Sequence, residues 1–439
     1  MKPLESLMLP TPEQPAEGME ALRWPEAPHW FRPHYGRSLT GVMGTLFHLL
    51  GRPTGEFPTL MAHLPKGSPR KAKRVLLLCV DSLGFKELGH SRQLKALFPD
   101  CGTWITSVFP TITSCALSSL YQGLPPARHG TLGHVIWREF PGAVVDMLKG
   151  KVVRARATLQ EAGCDLSLLR GAPGILDGPV GKNLPGYQLM DQAIVGSGLS
   201  EIIYGEAPRV AFADPLEGII KAGRILENME TGWVSLYMAR VDTLTHVLTG
   251  DAPQLGLVVQ HLEAMLGMLA ASLPAKVLEE TALLVAADHG QNIIRQRVPL
   301  QGEDLAWLES HTRALGFSGR VLHVYVNEAN ERAVKDRLVA LTGEAGRVFR
   351  FDEVVGLTGP AELFRHPADV TPPVNLAAVR RTLGDLVVVL DDGWNWERRG
   401  TLAPAEPYES RLVSQHGALT WHEVFVPFFC APLGALRPE

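Results

Sequence analysis

Three apolar runs constrain this chain more than any other feature. They are RVLLLCV (74–80), WVSLYMARV (233–241) and ALLVAA (282–287). Each is nearly continuous rather than alternating, the pattern of a parallel strand covered by helices on both faces. Each also ends at an aspartate: Asp81, Asp242 and Asp288. Doubly wound sheets bind ligands beyond the carboxyl ends of their strands, so three acids at three such ends can converge. Taken singly, each Asp is better read as a turn or cap residue.

Between these runs the pattern turns helical. Leu255–Leu273 has apolar residues at helical spacing and stops before Pro274, and Glu328–Leu341 follows the strand-like VLHVYV (321–326). A further strand is expected at LVVVL (386–390). Residues 1–37 are rich in Pro, Trp and His with little periodicity, and read as an N-terminal extension. Residues 38–439 read as one α/β domain, with cap or lobe insertions at about 135–232 and 300–400 that would supply specificity.

Composition removes several classes. The 439 residues are 46% apolar and 20% charged, enough for one large core or two smaller ones. With 42 basic and 46 acidic residues the net charge is −4, and no basic excess marks a nucleic-acid binder. The five cysteines (79, 101, 115, 164 and 430) are scattered, with no C-x-x-C. That argues against a disulfide framework or a thiolate metal site, and for a reducing compartment. The first residues lack the apolar run of a signal peptide, and the longest apolar stretches look strand-sized, short of the roughly 20 residues a membrane helix needs. The expectation is a cytoplasmic protein with no membrane contact; no oligomeric state follows from the sequence.

The segment SVFPTITSCALSSLYQGLPPARHGTLGH (107–134) carries the most chemistry. Thr113–Gln122 reads as a short helix stopped by Gly123 and the prolines after it. A hydroxyl at its start lies among unpaired N–H groups at the positive end of the helix dipole, where phosphate binds and an alkoxide is favoured. From this segment alone, Thr113 or Ser114 is better read as a simple cap. In DTLTH, Asp242 and His246 are four apart, which puts a carboxylate and an imidazole on one helical face. Asp288 and His289 directly follow a core strand, and His416-Gly417 precedes an apolar run. Together, three acids, one threonine and three imidazoles are what two borderline divalent cations need. Two such cations can clamp the attacking and leaving oxygens of a displacement at phosphorus.

This order of motifs resembles the alkaline phosphatase superfamily, closest to its type I phosphodiesterase/nucleotide pyrophosphatase members. The carrying motifs are D-x-x-G (Asp81 to Gly84), P-T-x-T (Pro110 to Thr113), G-L-x-P-x-x-H-G (Gly123 to Gly130), D-x-x-x-H (Asp242 to His246), D-H-G (Asp288 to Gly290) and the late H-G. The resemblance implies a three-layer α/β/α sandwich around a mostly parallel sheet. It implies one metal on Asp81, Thr113, Asp288 and His289, and another on Asp242, His246 and His416, with Zn2+ the expected ion and Mn2+ the second choice. Thr113 would be the nucleophile, forming a covalent phospho-threonine intermediate on a small-molecule phosphate ester or nucleotide.

Two departures bear on substrate. Where these phosphodiesterases place an Asn to hold a phosphate oxygen, this chain has His134, whose imidazole can donate the same bond. Where an aromatic residue follows the nucleophile and floors a base pocket, Ser114 stands here. Sulfatases share the fold but need C-x-P-S-R, which Thr113-Ser114-Cys115-Ala116 does not supply. The alternatives are a phosphomonoesterase of the same superfamily, or a catalytically silent binding component like PglZ-type domains, which the tail HGALTWHEVFVPF also resembles. Other residues take structural readings: Trp394 and Trp396 as lobe filling, His129 as a turn clamp, Arg128 as a surface cation, and His422 and Glu423 as exposed helix residues.

Overall fold

The computed structural model describes residues 9–55, 57–359, 374–399 and 411–437. The first eight residues of the expected N-terminal extension and parts of the 300–400 stretch lie outside the described residues. A seven-stranded sheet forms the centre, in the order Gly102–Thr106, Phe425–Pro432, Thr281–Ala286, Arg74–Val80, Gly232–Met238, Gly186–Asp191 and Arg209–Phe212. Only Phe425–Pro432 runs antiparallel to its neighbours. Every residue of Arg74–Val80, Gly232–Met238 and Thr281–Ala286 is buried. Successive side chains point to opposite faces, so helices must cover both sides, as the uninterrupted apolar runs require. The three expected strands are therefore the three adjacent central ones, and their carboxyl ends open side by side.

A second seven-stranded sheet, antiparallel throughout, runs 346–350, 386–390, 321–325, 314–318, 135–138, 143–146 and 151–152. It has its own core of Val298, Leu308, Phe317, Val324, Leu338 and Val388, among others. Trp396 is buried in this core and Trp394 packs against it, so both fill the lobe as expected. This lobe draws on both stretches read as insertions, but the earlier one divides. Gly186–Asp191 and Arg209–Phe212 belong to the main sheet, not to a cap. Their short runs, set among Gly and Pro, carry too little periodicity to declare a strand.

The N-terminal extension packs into the domain. Ala27–Phe31 forms a hairpin with Arg23–Trp24, Trp30 bridges Thr420, and Phe31 N–H donates to the Leu419 carbonyl at 2.8 Å. Trp30 and Phe31 are 0% and 2% exposed, and burying each such side chain contributes about 2–3 kcal/mol. The hairpin thus backs the loop that carries His416. One helix also exceeds the strand-sized apolar segments expected. Pro253–Ser272 is long and apolar enough to cross a membrane by length and composition. Here it lies against Pro215–Asn228 and Arg240–Leu248, with Leu255, Val259, Met265, Leu266 and Leu269 buried.

Candidate metal centre

Thr113 occupies the first position of the helix Thr113–Gln122, and the N-cap is Ile112. Thr113 therefore lies one residue inside the helix rather than at the N-cap, which removes the simple-cap reading. Its hydroxyl instead meets His289 Nε2 at 3.1 Å. Gly123 ends the helix with φ +69°, as its position in the sequence predicts.

The expected ligands meet in two linked groups. His289 Nε2 lies 3.6 Å from Asp81 Oδ1 and 3.4 Å from Asp288 Oδ2. Asp242 Oδ1 lies 3.3 Å from His246 Nε2 and 3.7 Å from His416 Nε2, so the i, i+4 pair does share a face. The His289 and His416 rings stack with centroids 3.6 Å apart, which joins the groups. Ligand atoms of Asp81, Asp288 and His289 all lie within 4.8 Å of one another, and so do those of Asp242, His289 and His416. At that spacing His289 faces both groups, with His246 alongside Asp242.

Three observations show that these residues fit divalent cations. First, each imidazole turns Nδ1 to a main-chain carbonyl: His246 to Ser414 at 3.0 Å, His416 to Thr111 at 2.9 Å and His289 to Gly290 at 3.3 Å. A carbonyl only accepts, so the ring proton sits on Nδ1 and the Nε2 lone pairs converge, the orientation metal-bound histidines take. Second, Asp81 Oδ1 and Asp288 Oδ2 are buried without a donor among the described residues. Such atoms are costly unless a cation or proton answers them. Third, burial and the nearby Asp288 and Asp242 carboxylates push Asp81 well above the usual carboxylate range. Burial also opposes ionisation of Asp242, but the imidazoles of His246, His416 and His289 outweigh it and hold that carboxyl below its usual range. Positive charge is what the Asp81–Asp288 half of the cluster lacks.

His134 stands beside the centre rather than in it. Its backbone N–H donates to Ser318 Oγ at 2.9 Å, and its ring Nε2 is 3.9 Å from Asp146 Oδ1. The preceding Gly133 carbonyl accepts the Ser114 hydroxyl at 2.9 Å, which ties this loop to the residue after Thr113. Ser114 is thereby turned into the protein and offers no floor to a base.

Several partners escaped the sequence reading. Tyr237 donates to Asp81 Oδ2, and Gln291 Nε2 donates to Asp242 Oδ1 at 2.7 Å. Glu423, read as exposed, is fully buried and paired with fully buried Arg320. Its carboxylate also accepts from Ala418 N at 2.9 Å and Thr420 N at 3.2 Å, which braces the loop after His416. The T-x-x-E pattern of Thr420 to Glu423 is a capping box and was the available signal. Arg128, read as a surface residue, is only 6% exposed. His129 does hold its turn, through Ser119 Oγ at 2.9 Å and Thr131 N at 3.1 Å.

Residues 204–419 match the sequence model of the type I phosphodiesterase / nucleotide pyrophosphatase family. That span contains Asp242, His246, Asp288, His289 and His416, while Asp81 and Thr113 join them through the fold. No curated protein matches the chain by sequence. Among solved structures, the fold is similar to murine ectonucleotide pyrophosphatase / phosphodiesterase 5, with a TM-score of 0.60 and 17% identity over 81% of this chain and 87% of that one. An inactive Thr-to-Ala variant of the murine protein in complex with AMP gives a TM-score of 0.59 and 17% identity over 82% of this chain and 88% of that one. The human protein gives 0.57 and 15% over 81% and 87%. Motifs, sequence model and fold agree: residues 204–419, just under half of the chain, carry the pattern of the type I phosphodiesterase / nucleotide pyrophosphatase family, and the chain is a phosphoric ester hydrolase similar to that family.

Proposed function

We propose that the chain hydrolyses phosphodiester or nucleotide pyrophosphate bonds through a covalent phospho-threonine intermediate on Thr113, at a centre of two divalent cations, Zn2+ or secondarily Mn2+. The observation that carries this reading is the Thr113 hydroxyl. It stands at the first position of its helix, hydrogen-bonded to His289 at 3.1 Å, and adjacent to two groups of convergent ligand atoms. Asp81, Thr113, Asp288 and His289 would hold one cation, and Asp242, His246 and His416 the other. Once bound, the cations supply Lewis acidity, easing deprotonation of the threonine and neutralising charge that gathers on the phosphoryl oxygens.

Thr113 Oγ attacks phosphorus as the bond to the leaving alcohol or phosphate breaks. Water then cleaves the phospho-threonine and restores the hydroxyl. Free N–H groups at the start of Thr113–Gln122 face the phosphoryl oxygens, the usual advantage of a helix N-terminus. His134 serves as a further donor to one of those oxygens, in keeping with the tie between Gly133 and Ser114. The AMP complex of the murine relative favours a nucleotide-like substrate. Recognition of its base would then fall to residues other than Ser114. The five free cysteines agree with a reducing, cytoplasmic setting.

The test is turnover of bis-p-nitrophenyl phosphate beside p-nitrophenyl phosphate, with added Zn2+ or Mn2+ and after chelation. The expected result is metal-dependent hydrolysis with the diester preferred. Preference for the monoester would make the chain a phosphomonoesterase, and turnover of neither substrate across several metals would leave a silent binding component.

A further inference from the structure

Each carboxylate of the centre has one oxygen already committed. Asp288 Oδ1 accepts two backbone N–H groups, from Ser82 and His289, both at 3.0 Å. Asp81 Oδ2 accepts the phenol of Tyr237, which is buried on the neighbouring strand. Asp242 Oδ1 accepts the side-chain amide of Gln291, itself 5% exposed. Gln291 Oε1 stands 3.2 Å from Ser414 Oγ, and the Ser414 carbonyl receives the Nδ1 proton of His246. Gln291 therefore joins one ligand carboxylate to the residue that orients the next imidazole. The Tyr237 contact and the Gln291 contacts share no residue.

We infer that Tyr237 and Gln291 are positioning residues that tune the two cation sites separately, Tyr237 through Asp81 and Gln291 through Asp242. The inference rests on the two-cation reading above. A carboxylate with one oxygen held by a phenol can rotate little, so its other oxygen is presented to the cation in one orientation. Asp81 Oδ1, which has no donor among the described residues, is that oxygen. Because the Asp288 carboxylate takes its hydrogen bonds from backbone N–H groups, Tyr237 is the side chain through which the carboxylates of the Asp81 and Asp288 site can be altered. Loss of such an outer partner weakens metal binding by about 10- to 100-fold in comparable sites.

The experiment is Zn2+ titration against a competing chelator, with the full-length chain as wild type, Tyr237→Phe and Gln291→Leu, each with and without His246→Ala. Wild type should show two binding steps, and the step that survives His246→Ala belongs to the Asp81 site. Tyr237→Phe should weaken that surviving step about tenfold or more. Gln291→Leu should leave it alone and weaken the other. The chelated forms should keep the wild-type denaturant midpoint, since the phenylalanine ring preserves the packing. Wild-type affinity in Tyr237→Phe, equal weakening of both steps by either variant, or loss of chelated-form stability in step with affinity would each overturn the inference. If wild type takes up no cation, the two-cation reading itself falls, a result distinct from all of these.

Discussion

Thr113 Oγ and His289 Nε2 lie 3.1 Å apart although 176 positions separate them in the chain. The His289 Nδ1 proton points to the Gly290 carbonyl, so Nε2 accepts from the threonine hydroxyl. Thr113→Ala should reduce phosphodiester turnover by about a thousandfold or more, since no other hydroxyl in the centre can replace the nucleophile. Metal content should stay at about two per chain, because six other ligands remain. Turnover and metal content of the purified variant check both statements, and full activity would remove Thr113 from the mechanism.

Glycine at 290 is required by space. A Cβ there would sit 2.1 Å from the His422 carbonyl oxygen and 3.3 Å from the Gly84 Cα. Both neighbours are backbone, so neither can swing aside. Gly290→Ala must push His289 and Asp288 apart from Asp81, and should cost about 1–3 kcal/mol of stability together with most of the activity. A urea melt and an assay on one preparation test this. Unchanged values in both would mean that the strand ends separate more readily than the contact distances allow.

The buried Arg320–Glu423 pair ties the antiparallel lobe to the loop carrying His416. Arg320 Nε also donates to the Trp394 carbonyl at 2.9 Å, and Arg320 N–H to the His416 carbonyl at 3.0 Å. Removing one partner leaves an unanswered buried charge, so Glu423→Ala should cost about 3–5 kcal/mol. Glu423→Gln keeps the accepting oxygen and should cost less. If the pair only stabilises, the two variants should lose activity in proportion to unfolding. A selective fall in Zn2+ affinity at the Asp242 site would show that the brace also sets His416.

The central sheet was legible because nearly continuous apolar runs have few alternatives, and their terminal acids fall at the open end of adjacent parallel strands. The Asp242–His246 pair was legible from helical spacing alone. Gly186–Asp191 was not, because a short sheet strand beside Gly and Pro lacks the length that separates strand from loop. Tyr237 was hidden by the very run that revealed its strand. In a core strand an aromatic residue reads as packing, and only the register that sets Tyr237 opposite Cys79, two residues before Asp81, brings its hydroxyl to that carboxylate. Glu423 failed for another reason: a charge beside a surface-like T-x-x-E cap is ordinarily solvated, and its burial depends on Arg320, about a hundred positions earlier.

Glu87 gives a pH dependence of stability that does not involve the metal ligands. Its carboxyl is 1% exposed and wedged between Gly84 and Gly250; a Cβ on either would come within 2.7 Å and 2.0 Å of its oxygens. Burial pushes its pKa up to about 7 from 4.5. The raised value sets the sign. Below pH 4.5 both folded and unfolded forms are protonated. Between 4.5 and about 7 the unfolded chain ionises while the folded one keeps its proton, so stability falls as pH rises. Above 7 both are ionised and the loss levels off at about 3 kcal/mol. Glu87→Gln keeps the shape and cannot ionise. The difference in unfolding free energy, variant minus wild type, should therefore rise by roughly that amount between pH 4.5 and 8, measured on chelated protein to exclude metal uptake. A difference that stays flat, or falls, would mean that Glu87 is already ionised in the folded chain at pH 5.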